Sequence, residues 1–135
     1  MLEYEINAHV LNGGIARAKA NQSEIMFDAT SGRDEVLPNP AELLLTSLAA
    51  CMLKNVQRYS EILNISYRKA RISIDGKRND NPPFISEINY TLEIDTDENE
   101  RTIVTLHKNI LKFGTITNTL GKACKLEGTI RIVKY

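Results

Sequence analysis

The apolar and polar positions of this chain change period several times, and each change predicts an element. Residues 2 to 10 set Leu2, Tyr4, Ile6, Ala8 and Val10 against Glu3, Glu5, Asn7 and His9. That is the period-two pattern of a half-buried strand, with His9 on its polar side. Asn12, Gly13 and Gly14 signal a turn, and residues 15 to 20 and 24 to 29, separated by a bend at Asn21 to Ser23, predict two further strands of a meander. Residues 30 to 38, TSGRDEVLP, read as a loop with Arg33, Asp34 and Glu35 in solvent.

The period then becomes helical. In NPAELLLTSLAACMLKNVQRY, residues 39 to 59, Asn39 is placed to cap a helix, Pro40 suits its first position and Glu42 stands where a capping-box carboxylate reaches back. From Leu43 to Leu53 apolar and small residues cover nearly every side, so the helix is expected to be buried all round. Beyond Asn55 it becomes amphipathic, with Val56, Tyr59, Ile62 and Leu63 on the dry side. Two antiparallel strands are predicted at residues 71 to 77 and 84 to 95, with a break at Asn79 to Pro83. Ile103, Leu106, His107, Ile110 and Leu111 recur at helical spacing up to Phe113 and Gly114, and His107 borders that stripe as a packing or surface residue. Residues 115 to 124 read as a short helix and 127 to 135 as a closing strand.

This order predicts one α+β domain over residues 1–135, with an antiparallel sheet laid on a long central helix. A helix apolar all round needs cover on the side away from its own sheet. A second copy about a twofold axis would supply it, so an intertwined homodimer is expected.

Composition narrows the function. Lys plus Arg and Asp plus Glu both total 17, so no overall field marks a nucleic-acid binder. The N-terminal stretch MLEYEINAHVLNGG, with Glu3 and Glu5 early, has no apolar core of the length a signal peptide or membrane span requires, and a soluble cytoplasmic protein is expected. His9 and His107 have no partner at metal-ligand spacing, so no metal site is expected. In a reducing compartment Cys51 and Cys124, the two cysteines, are thiols or a transient redox pair rather than a staple.

NPAELLLTSLAAC, with Cys51 twelve residues beyond Asn39, resembles the central helix of the OsmC/Ohr family, the osmotically inducible and organic hydroperoxide resistance proteins. The likeness extends to the first meander, the 84 to 95 strand, the second helix, the segment from Thr115 and the closing strand. It implies a dimer of α+β subunits whose sheets wrap two central helices, with cysteine sites at the interface that reduce organic hydroperoxides without metal or flavin. Cys51 would then be the nucleophile, and a dithiol reductant would reset it. In the peroxidases an Arg of the first meander stabilises the thiolate. Arg17, in GGIARAKA, has the comparable place here, and Arg33 competes with it.

The chain departs from that pattern in three places. The peroxidases have a Glu directly after the Pro. Here that position is Ala41, and the acid follows one residue later as Glu42, turned about 100° around the helix. Glu42 is therefore read first as the capping-box residue and second as the Arg partner. Gly114 to Asn118 match the segment that begins with the resolving cysteine, and Gly114 has no thiol. A cysteine placed there is expected to bridge Cys51. Cys124, ten residues on, is either a displaced resolving thiol or a small core residue. Three readings follow: a thiol peroxidase, a divergent member binding a small hydrophobic or electrophilic ligand without turnover, and a purely structural Cys51.

Overall fold

The structure, a computed structural model, describes residues 1–135. The elements run β1 (Asn7–Val10), β2 (Ile15–Ala20), β3 (Ser23–Asp28), α1 (Pro40–Ile62), β4 (Lys69–Asp80), β5 (Pro83–Asp95), α2 (Glu100–Phe113), α3 (Thr115–Gly121) and β6 (Lys125–Val133). The α+β class expected from the alternation of periods is the one found. The chain forms two compact units, Met1–Leu44 and Leu45–Tyr135, each with a three-stranded sheet.

In the first unit β1, β2 and β3 form an antiparallel meander. Gly14 makes its first turn possible for two reasons. Its φ is 88°, and a Cβ there would lie 2.7 Å from the Cα of Thr30. Asp28 closes the other end. It is buried, and its carboxylate accepts from Thr30 N at 2.8 Å, Thr30 Oγ1 at 2.6 Å and Asp34 N at 2.8 Å. These donors, the Thr30 hydroxyl foremost, hold its carboxyl below the usual carboxylate range. The loop from Thr30 is thus tied to the sheet, and Asp34 is part of its folding rather than only solvated.

The half-buried strand expected at residues 2 to 10 takes a different form. The strand is limited to Asn7–Val10, and Leu2, Tyr4, Ile6 and Val10 are all exposed. Within this unit only Ala16 and Asp28 are buried. The alternation is present in the sequence, but a three-stranded meander of this size has no second layer of its own to set against its apolar side.

In the second unit β5 is the central strand. Ile88, Tyr90, Leu92 and Ile94 point to one face and join Leu48, Met52, Val56 and Tyr59 of α1, Ile103, Leu106 and Ile110 of α2 and Leu120 of α3 in one core. The other face is polar, and the register sets Arg71, Glu93 and Arg131 directly opposite one another across β4, β5 and β6. Glu93 accepts from Arg71 Nε at 2.7 Å and Arg131 Nε at 2.8 Å. These two guanidiniums keep its carboxyl below the usual range. Arg68 grips Asp95 and Asp97 in the same way, and with Lys134 it holds Asp97 at about 2.

One expectation is corrected. The sheet is not wholly antiparallel, because β6 pairs with β5 in parallel. A parallel pair needs a long crossover, and α2 and α3 supply it. In the single chain α1 is covered along one side. Leu48, Met52, Val56 and Tyr59, at spacings of four, four and three, form its buried stripe, while Leu44 is exposed and Leu43, Cys51 and Leu53 are half-buried. One chain supplies cover on one side only.

Candidate functional site

α1 starts as its residues dictate. Asn39 Oδ1 accepts from Glu42 N at 2.8 Å and Glu42 Oε1 accepts from Asn39 N at 3.1 Å, the reciprocal pair of a capping box. Its other end is a Schellman turn, with Asn64 at a φ of 56°, Ile65 N donating to Ser60 O at 2.8 Å and Asn64 N to Glu61 O at 3.3 Å. Cys51 lies well inside the helix, eleven residues beyond Pro40.

Cys51 is a free, half-buried thiol. Its polar surroundings come from two places. Asn55, one turn on, directs Nδ2 at the sulfur from 3.9 Å, and Thr117 of α3 brings Oγ1 to 4.0 Å. Thr117 is itself buried, and the thiol is the one side-chain hydrogen-bond partner its hydroxyl has. The approach of α3 depends on Gly114, which joins it to α2. A Cβ on Gly114 would lie 2.7 Å from Thr117 Oγ1 and 3.0 Å from Ile110 O. This alters the expectation for a cysteine at that position, because the Thr117 hydroxyl already fills the space. Thr117 would have to move before any bridge to Cys51 could form.

The remaining expected site residues are placed as follows. Cys124 is a free thiol that packs against the core and donates to Leu120 O at 3.3 Å, the pattern of a small core residue. Arg17, on β2, forms an exposed ion pair with Glu24 of β3 at 3.6 Å, on the same face of the meander as His9. Glu42 is in the capping box. Of the four, Cys51 is the one that has Asn55 and Thr117 beside it. Asn55 and Thr117 were not singled out from sequence. The four-residue spacing from Cys51 puts Asn55 on the same helix face and could have been read; the approach of Thr117 is tertiary and could not.

His107 is more than a bordering residue. Its Nε2 meets Tyr90 Oη at 2.6 Å, with the rings edge to face. Burial lowers His107 below the ordinary histidine value and pushes Tyr90 up to about 12, so both are held neutral. The Tyr90 ring lies over Gly128, its partner on β6, where a Cβ would collide with the ring. No three His, Cys, Asp or Glu side chains converge as a metal-ligand set would. No helix is long and apolar enough to cross a membrane.

Solved structures match this fold over nearly its whole length. An OsmC-like protein from Mycoplasma pneumoniae superposes with a TM-score of 0.88 at 25% identity, covering 98% of each chain. An organic hydroperoxide resistance protein OsmC from Legionella pneumophila gives 0.76 at 14% identity, covering 96% of this chain and 98% of its own. The organic hydroperoxide resistance protein OhrB of Bacillus subtilis gives 0.67 at 14% identity over the same shares. No curated protein matches the sequence. The OsmC-like protein family model matches residues 32–128, which include α1, β4, β5, α2 and α3, and the chain therefore belongs to the OsmC family.

Proposed function

We propose that this protein is a cysteine-dependent peroxidase that reduces organic hydroperoxides, with Cys51 as its nucleophile. The observation that carries the reading is the position of Cys51. It is a half-buried thiol inside α1, within the residues 32–128 that match the family, with hydrogen-bonding side chains turned towards its sulfur. A thiolate there attacks the distal oxygen of R–O–OH, forming the S–O bond of a sulfenic acid as the O–O bond breaks. The alkoxide released takes a proton and leaves as the alcohol. A thiol then condenses with the sulfenic acid, giving a disulfide and water, and a dithiol reductant returns the disulfide to thiols as it is itself oxidised to a disulfide. Arg17, or Arg33, is assigned to thiolate stabilisation. Cys124 or an external dithiol is assigned to resolution. The protein would work in the cytoplasm as a homodimer, without nucleic acid or membrane as partner.

Intact-mass analysis after one equivalent of an organic hydroperoxide tests this, with wild type, Cys51→Ser, Cys124→Ser and Arg17→Ala compared. Wild type is expected to gain one oxygen or lose two hydrogens within the mixing time, Cys51→Ser to do neither, and Arg17→Ala to react about tenfold more slowly. A wild type that leaves the hydroperoxide intact would sink the peroxidase reading. The second reading, a family member that holds a small hydrophobic or electrophilic ligand, would then stand; it is favoured by Ala41 and Gly114, which lack the carboxylate and the thiol of the peroxidases.

A further inference from the structure

Thr117 is an unusual residue to find beside a thiol. A buried hydroxyl ordinarily bonds a carbonyl or a carboxylate, because leaving it unsatisfied costs about 1–3 kcal/mol. Here it has the Cys51 sulfur alone, at 4.0 Å. The path that brings it there is specific. α2 ends at Phe113, Gly114 caps α3 without a side chain, and the space its missing Cβ leaves is occupied by Thr117 Oγ1. On the other side Asn55 is anchored to Cys51 by the helix itself, so its amide needs no second element to keep it near the sulfur. Both contacts are long for a neutral thiol, a poor hydrogen-bonding group. They become charge-assisted, and shorter, when the sulfur carries a negative charge.

We infer that Thr117 and Asn55 are positioning residues of the Cys51 site: they donate O–H and N–H hydrogen bonds that stabilise and aim the thiolate, and Gly114 is a glycine so that the Thr117 hydroxyl can reach it. Thr117 acts on the sulfur from outside its helix and Asn55 from within it, so together they fix the direction left open for an incoming electrophile. Neither donor carries a proton away, so neither is a general base. The inference deepens the peroxidase reading by naming what holds its nucleophile. It applies to the thiolate whatever electrophile it meets.

The test is the pH profile of Cys51 alkylation by iodoacetamide, in the Cys124→Ser background so that one thiol is read. Thr117→Val replaces the hydroxyl with a methyl of the same shape. It is expected to move the half-maximal pH up by about one unit and to slow alkylation at neutral pH by about tenfold. Thr117→Ser, which keeps the hydroxyl, is expected to restore the profile, and Asn55→Leu to move it as Thr117→Val does. A lost packing contact would not be rescued by the smaller serine. An unchanged midpoint in both Thr117→Val and Asn55→Leu overturns the inference, as does a wild-type Cys51 that is alkylated at no pH. If Thr117→Val fails to fold, Asn55→Leu alone decides. Because iodoacetamide is not a peroxide, the two readings fail separately: shifted midpoints with no hydroperoxide consumed would retain this inference and remove the peroxidase, and unshifted midpoints with turnover would do the reverse.

Discussion

Tyr90 and His107 show how one glycine can govern two aromatic side chains. The Tyr90 ring lies where the Gly128 side chain would be, and its hydroxyl reaches His107 on α2. Gly128→Ala must displace the ring, and overpacking of this kind costs about 1–3 kcal/mol. The urea midpoint of that variant is expected to fall accordingly, and an unchanged midpoint would mean that the ring moves aside freely. The same pair sets a pH dependence. Burial lowers His107 below its ordinary 6.5, so the unfolded chain binds more protons than the folded one as pH falls through that value. Stability from His107 is therefore full above pH 6.5 and is lost as pH falls through the lower, folded value. Tyr90, raised from 10.0 to about 12, contributes fully below pH 10 and loses its contribution as pH rises towards 12. Between these limits the pair should give a plateau in stability. The carboxylates Asp28, Glu93, Asp95 and Asp97 act lower, below about pH 4, where unperturbed acids take up protons. Urea denaturation from pH 5 to 7 isolates the histidine, and His107→Phe should flatten the curve in that interval.

At the scale of elements, the helices were the legible part. Asn39, Pro40 and Glu42 carry the start of α1 in their side-chain chemistry, and the capping box they predict is the one formed. Asn39→Ala should cost about 1 kcal/mol in thermal or chemical denaturation. A loss below a few tenths would mean that the box is solvated away. β5 was equally plain, because Ile88, Tyr90, Leu92 and Ile94 alternate against polar residues along a strand with one buried face. What local pattern cannot carry is the identity of a neighbour. Nothing in the period of residues 127 to 135 distinguishes a parallel from an antiparallel partner. Nor does anything near Thr117 announce that a turn at Gly114 will bring its hydroxyl to Cys51. The candidate site was half legible for the same reason. Cys51 stands in a recognisable helix, whereas one of the groups around it arrives from 66 residues away.

At the scale of the molecule, the exposed apolar side chains form a set. Leu2, Tyr4, Ile6, Val10, Leu11, Ile15, Ile25 and Met26 are uncovered in the first unit, and Leu44 in α1. Apolar surface left in water forgoes about 25 cal/mol for each Å². A homodimer that covers these residues is our expectation, and sedimentation at micromolar concentration checks it: a cooperatively folded monomer would show that the first unit is stable uncovered.

The parallel pairing of β5 with β6 also has a consequence in time. β4 and β5 are joined by a tight turn and can zip together early, while the free edge of β5 waits until α2, α3 and then residues 125–133 have left the ribosome. For that interval a long strand with one apolar face presents unpaired amides and carbonyls to any neighbouring chain. The step that completes the sheet is a closure between distant parts of the sequence and should be the slow one in refolding. Any truncation or delay before β6 would lengthen the exposure, so the chain's hazard during synthesis is concentrated at the strand on which its finished core depends most.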